Sequence, residues 1–165
     1  MRYLLWKTCL LIVVAIIPLY AQNTSEAAYT LNGEGIGYFN AENFSSAVDS
    51  FTKAAELLPG DASIRFNLAA SYSKLKQFDK AAENFLRVTN LRPNDPVALN
   101  ELGVAYKEMG LYDESERYLA EAVRLSPDRA LYQFNVGLLN IRNDKLTEAG
   151  EHLLLRVARR RGDPH

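Results

Sequence analysis

The sequence holds one cysteine, Cys9, and two histidines, His152 and His165. So few soft donors exclude a zinc site built from Cys and His, and a single thiol leaves no internal disulfide. The chain also lacks a charge surplus: 19 Lys+Arg face 20 Asp+Glu, for a net charge of −1. Nucleic-acid binders carry a basic excess, so no nucleic-acid partner is expected. Six prolines and nine glycines are too few for a collagen-like or low-complexity chain. The apolar run Cys9–Tyr20 is about a dozen residues, against the roughly 20 needed to span a bilayer as a helix. What is present, 48% apolar and 24% charged residues, is ordinary for a soluble globular chain.

Residues 1–21 read as a secretory signal peptide: Arg2 and Lys7 lead, the apolar run follows, and Ala21-Gln22 closes it. Cleavage is expected after Ala21, with Ala27 as the alternative boundary and an uncleaved anchor as the alternative fate. Membrane contact is expected only in that last case. Cys9 leaves with the signal, and an exported chain without disulfides points to a bacterial periplasm or a secreted bacterial protein. Residues 22–27 read as a short polar linker.

The remainder is one unit repeated every 34 residues. That shift aligns Pro59, Pro93 and Pro127; Tyr38, Tyr72 and Tyr106; and Gly35, Ala69, Gly103 and Gly137. It also aligns Ala47, Ala81, Ser115 and Ala149, and Phe51, Phe85, Leu119 and Leu153, and Phe44, Phe78, Tyr112 and Leu146. Each unit reads as two helices. Phe66, Ala69, Tyr72 and Leu75 form one apolar stripe, and Phe78, Ala81, Ala82, Phe85 and Val88 form the next. Asp79 and Asp113, with Ser45 and Thr147 in their column, suit the capping of the second helix. The prolines end it, and Asp95-Pro96 restarts the pattern as an N-cap followed by proline. The small columns are expected to let paired backbones approach while the Tyr and Phe columns fill the space between hairpins.

This pattern resembles the tetratricopeptide repeat, with units at 28–61, 62–95, 96–129 and 130–163 and residues 164–165 as a short end. The fourth unit departs from it, with Asn140, Arg156 and Arg161 where Tyr, Ala and Pro are expected. The resemblance implies an all-α, right-handed solenoid of about four stacked antiparallel helix pairs. It also implies that the first helix of each pair lines a concave groove. Carried across, the partner-binding columns are Tyr29, Asn32, Ile36 and Phe39; Phe66, Asn67, Ala70 and Lys74; Val97, Asn100, Val104 and Lys107; and Leu131, Phe134, Leu138 and Ile141. Asparagines beside apolar side chains suit a peptide segment or helix. The Lys/Arg/Asn clamp of the family's chaperone-binding members is absent: Asn67 remains, but Asn32, Ile36, Val97 and Glu101 stand at most of the other positions.

In the fourth unit Leu131, Phe134, Leu138 and Ile141 make a clean helical stripe, which is either a strongly apolar groove or a buried face; the exposure of Phe134 decides between them. Asp163-Pro164 repeats Asp95-Pro96 two periods later, so no polar helix is expected to seal the last hairpin. Leu153, Leu154, Leu155 and Val157 then either offer an apolar strip to a partner or to a second copy, or Leu154 and Val157 pack inward and the four nearby arginines solvate the end.

No catalytic constellation emerges. His152 sits mid-helix, and Gly33-Glu34-Gly35-Ile36-Gly37 falls inside a helix, not in the strand-to-helix turn that cradles phosphate. The three glycines are expected to weaken that helix. The chain is therefore expected to be a non-enzymatic, cofactor-free, exported scaffold or adaptor that binds protein and no small-molecule substrate, with a role in cell-envelope complex assembly. The alternative is a self-assembling protein that associates through its uncapped C-terminal helix. The repeat reading carries a direct test. Phe85→Ala removes a core ring and should cost about 3–5 kcal/mol in chemical denaturation.

Overall fold

The computed structural model describes residues 23–142 and 144. Among them are seven helices and no strand. α1 runs over residues 23–40, followed by α2 (Phe44–Leu57), α3 (Ala62–Lys74), α4 (Phe78–Leu91), α5 (Pro96–Met109), α6 (Tyr112–Leu125) and α7 over residues 130–142. The architecture is an all-α helical repeat. The chain forms two compact units that divide between Arg92 and Pro93, at the boundary between the second and third repeats.

Each hairpin turn is built the same way. One residue within two of the end of the first helix adopts a left-handed backbone: Glu42 (φ 58°), Lys76 (φ 58°) and Gly110 (φ 80°), spaced by the repeat. Its N–H returns to the carbonyl three residues back, and the next N–H returns five back: Asn43 to Tyr38 at 2.9 Å, Gln77 to Tyr72 at 2.9 Å, Leu111 to Tyr106 at 3.0 Å. These bonds satisfy the carbonyls that the helix end would leave open. Only Gly110 takes up this geometry without a Cβ penalty.

α2, α4 and α6 end at Leu57, Leu91 and Leu125, two residues before each aligned proline. Their starts differ from expectation. Asn43 caps α2 by accepting from Ser46, so Ser45 is not the cap. Gln77 and Leu111 precede α4 and α6 without a side-chain cap bond. Asp79 and Asp113 lie one step inside, where their charge meets the N-terminal dipole without capping. The first helices of the second and third repeats do carry strong caps. The Asp61 carboxylate accepts from Ser63 and Ile64, and that of Asp95 accepts from Val97 and Ala98 ahead of Pro96.

Residues 23–27, expected as a linker, are helical and continue into α1, which runs unbroken through Gly33, Gly35 and Gly37. Two glycines of the small column have a packing reason. A Cβ on Gly35 would lie 2.6 Å from Phe51 Cε1, and one on Gly103 would lie 2.7 Å from Leu119 Cγ. The Ser115 hydroxyl, buried between α5 and α6, donates to the Gly103 carbonyl at 2.8 Å. The first unit's core gathers Ala47, Phe51, Ala54, Ile64 and Leu68, with Tyr72 and Leu31 packed on it. The second gathers Leu99, Ala122 and Tyr132, with Tyr118 beside them.

The segment expected as a signal, the stretch expected as the fourth repeat's second helix, His152 and the strip from Leu153 to Val157 lie outside the described residues. No helix among those described is long and apolar enough to cross a membrane. The turn and the close approach predict opposite effects. Lys76→Gly should raise stability by about 0.5–1 kcal/mol by relieving the left-handed strain. Gly103→Ala should lower it by about 1–3 kcal/mol through overpacking against Leu119. Thermal and urea denaturation read both.

Candidate peptide-binding site

In the first unit α1 and α3 lie side by side, and their exposed faces enclose a cavity of about 350 Å³. It is lined by Ile36, Phe39, Asn40, Phe51, Phe66, Asn67 and Ala70. No lining side chain ionises, so the cavity has an apolar floor with two amides at its rim. The floor follows from the close approach just described. Because Gly35 has no side chain, the Phe51 ring reaches across from α2 to the space in front of it. Phe66 turns edge-on to Phe85 with centroids 5.3 Å apart, which fixes the second wall. Phe39 is held likewise against Phe44 at 5.3 Å.

Five of the expected groove residues of this unit thus meet in one place: Ile36, Phe39, Phe66, Asn67 and Ala70. Phe66 is half-buried and lines the cavity rather than filling the core. The others lie apart from it. Tyr29 is exposed and donates its hydroxyl to Asp61 at 3.3 Å, and Asn32 accepts from the Asn67 amide at 3.0 Å. Lys74 is exposed. Asn40 and Phe51 were missed. Asn40 follows Ile36 by one helical turn and shares its face, a spacing that could have found it. Phe51 reads from sequence only as core.

In the second unit the expected columns divide. Leu131, Phe134, Leu138 and Ile141 form an open stripe along α7, with Phe134 61% exposed. The stripe is therefore not the buried face; Tyr132, Asn135 and Leu139 are. Val97 is exposed and Val104 half-buried. Asn100 and Lys107 depart from expectation. Asn100 is 1% exposed and its carbonyl oxygen accepts from Asn135 Nδ2 at 2.8 Å, so it is a structural amide and not a ligand contact. Lys107 is buried, with its ammonium 3.4 Å from Glu108. On the same helix Gln133, Gly137 and Asn140 are exposed.

The two amide bonds expose an alternation that a 34-residue comparison hides. Asn67 donates to Asn32, and Asn135 to Asn100, each across 35 residues. Successive repeats read Leu31, Arg65, Leu99, Gln133 in one column, Asn32, Phe66, Asn100, Phe134 in the next, and Gly33, Asn67, Glu101, Asn135 in the third. Odd and even repeats are chemically distinct, and each compact unit holds one of each.

Two family models match the sequence: one described as TPR repeat over residues 71–110, the other as Tetratricopeptide repeat over residues 100–164. The chain belongs to the tetratricopeptide repeat family. Solved structures agree with the tetratricopeptide fold. MamA (residues 41 to the end) from Desulfovibrio magneticus RS-1 is similar at 26% identity and a TM-score of 0.70, over 84% of this chain and 78% of that one. The first TPR of Spaghetti (RPAP3), solved bound to the HSP90 peptide SRMEEVD, shares 21% identity at a TM-score of 0.70, over 73% of this chain and 95% of that one. The Arabidopsis OM64 TPR domain shares 20% at 0.69, over 72% and 98%. No curated protein matches the sequence. Among the described residues of this repeat protein, no group of three or more His, Cys, Asp or Glu could hold a metal ion.

The buried amides and the Tyr132 hydroxyl differ in sign. Asn100→Ala strands the Asn135 amide and should cost about 1–3 kcal/mol. The Tyr132 hydroxyl is buried with no hydrogen-bond partner among the described residues, so Tyr132→Phe should be neutral or stabilising by about 1 kcal/mol. Urea denaturation of the two variants distinguishes them.

Proposed function

We propose that this tetratricopeptide repeat protein is a non-catalytic scaffold that holds a polypeptide segment by apolar anchor side chains. The observation that carries this reading is the uncharged, aromatic-floored cavity between α1 and α3. Its size suits one large apolar side chain, while the free edges of Asn40 and Asn67 can bond a peptide backbone. The open stripe on α7 offers further apolar contacts of the same kind. Burial of a Leu or Phe side chain supplies about 1.5–3 kcal/mol, so two anchors contribute part of the roughly 8 kcal/mol of a micromolar complex, and backbone bonds and further apolar contacts supply the rest.

The structural neighbour captured with an acidic HSP90 peptide supports a peptide-binding role for the fold. The chemistry here differs, because no cation lines the cavity, and an anchor of neutral apolar character is favoured over an acidic terminus. The signal-like segment at residues 1–21 supports an exported scaffold, and assembly of cell-envelope complexes is the setting that fits it.

Selection of a random peptide library on the full chain tests the reading. Peptides with an aromatic or aliphatic anchor should be enriched, and their affinity should change little between low and high salt, since no ion pair is formed. Phe66→Glu together with Phe134→Glu should weaken binding at least about tenfold, the equivalent of about 1.4 kcal/mol, with the circular dichroism unchanged. Selected peptides that lack an apolar anchor, or equal binding of the anchored peptides by the folded double variant, overturn the proposal.

A further inference from the structure

A second cavity, of about 240 Å³, opens in the first unit where α2 ends and α3 begins, beside the last turn of α4. It shares no residue with the aromatic cavity. Its walls are Pro59, Arg65, Arg87, Asn90 and Leu91.

Arg65 stands in the column that holds Leu31 and Leu99, both of which pack into the cores of their units. Its Nε donates to the Pro59 carbonyl at 2.9 Å. Two repeats later, Gln133 makes the same bond to Pro127 at 2.7 Å with a neutral amide. The turn therefore requires an N–H and not a cation, and the charge on Arg65 exceeds what the fold uses. A second guanidinium, Arg87, faces the same space. Partial burial first, and then the Arg87 charge, push the Arg65 guanidinium below its ordinary pKa, so the two cations are near enough to repel.

The neighbouring acids leave part of this charge unanswered. Asp61 is committed to the α3 cap and to the Tyr29 hydroxyl. Glu83 reaches Arg87 at 2.9 Å, but both side chains are more than half exposed and their attraction is weak. Two guanidiniums and one carboxylate leave one positive charge, the complement of a monoanion. Pro59 and Leu91 supply an apolar wall, and Asn90 a neutral amide.

We infer that this cavity is a binding site for a carboxylate-bearing side chain, a Glu or Asp of an acidic polypeptide segment. Its methylenes lie on Pro59 and Leu91 and its carboxylate on Arg65 and Arg87. The guanidinium fork suits bidentate capture of a carboxylate, and the bond from Nε to Pro59 holds that fork in place.

The test is an NMR titration of the full chain with acetyl-Ala-Glu-Ala-amide. Acetyl-Ala-Gln-Ala-amide is the neutral control, and inorganic phosphate the competing oxyanion. Saturable shifts of the Arg65 Nε–H and of the Asn90 and Leu91 amides are expected with the Glu peptide, with affinity at least about tenfold weaker for the Gln peptide. Arg65→Gln should keep the bond to Pro59, as Gln133 keeps its own, and hold the thermal midpoint while losing at least about tenfold in affinity. Glu83→Gln, which frees Arg87, should tighten binding. Shifts that are absent, unsaturable or unchanged in Arg65→Gln overturn the assignment. So does a site that takes phosphate and ignores the Glu peptide. None of these outcomes bears on the aromatic cavity, whose residues are untouched.

Discussion

At Gly35 and Gly103 the side chains of Phe51 and Leu119 occupy the space that a Cβ would need, and the rest of each hairpin is arranged around that approach. With the methyl group missing, the second helix comes near enough for its large side chain to lie across the first. In the second unit the same nearness lets the Ser115 hydroxyl reach the Gly103 carbonyl. In the first it brings the Phe51 ring through to the far side, where it becomes the floor of a cavity. One small residue thus serves packing and recognition together. A methyl added at Gly35 would displace a core ring and reshape the site in the same move.

A second constraint acts between hairpins. Helices that lie side by side could meet through apolar contact alone, and most of these contacts are apolar. At one level in each unit, however, an asparagine bonds an asparagine. An apolar contact tolerates sliding, whereas an amide bond is satisfied at one register only, and a buried amide that misses its partner is costly. The Asn32–Asn67 and Asn100–Asn135 pairs therefore set the register at which neighbouring first helices dock. Phe66 adjoins Asn67 and Ile36 lies one helical turn beyond Asn32, so the relative placement of Ile36 and Phe66 inherits that precision.

Much of this was legible in the residues. The 34-residue shift placed every described helix pair, because periodic apolar and small columns report packing that recurs in each copy. The prolines marked where α2, α4 and α6 stop. Caps were less legible: Asp79 and Asp113 have the right chemistry but sit two residues past the cap position, and the side chain that caps α2 is the amide of Asn43. The groove residues were half legible. A column analysis assigns every copy of a position the same role, and so it gave Asn100 the exposure of its column-mates. In fact Asn100 is the buried half of an amide pair, and the equivalent Phe134 stands open. Phe51 was hidden for the opposite reason, since a core ring that also lines a cavity looks from sequence like any other core ring.

The alternation of odd and even repeats bears on how such a chain can change its length. Asn32 needs an amide one repeat onward, and Arg65 and Gln133 each need a carbonyl at the turn before them, so the copied block that preserves every partnership is a pair of repeats. Duplication or loss of 68 residues would hand each polar group an equivalent neighbour. Insertion or loss of 34 would set an amide opposite a phenyl ring or a carboxylate. A pair of repeats, twice the structural period, is thus the smallest block in which every one of these polar groups keeps its partner.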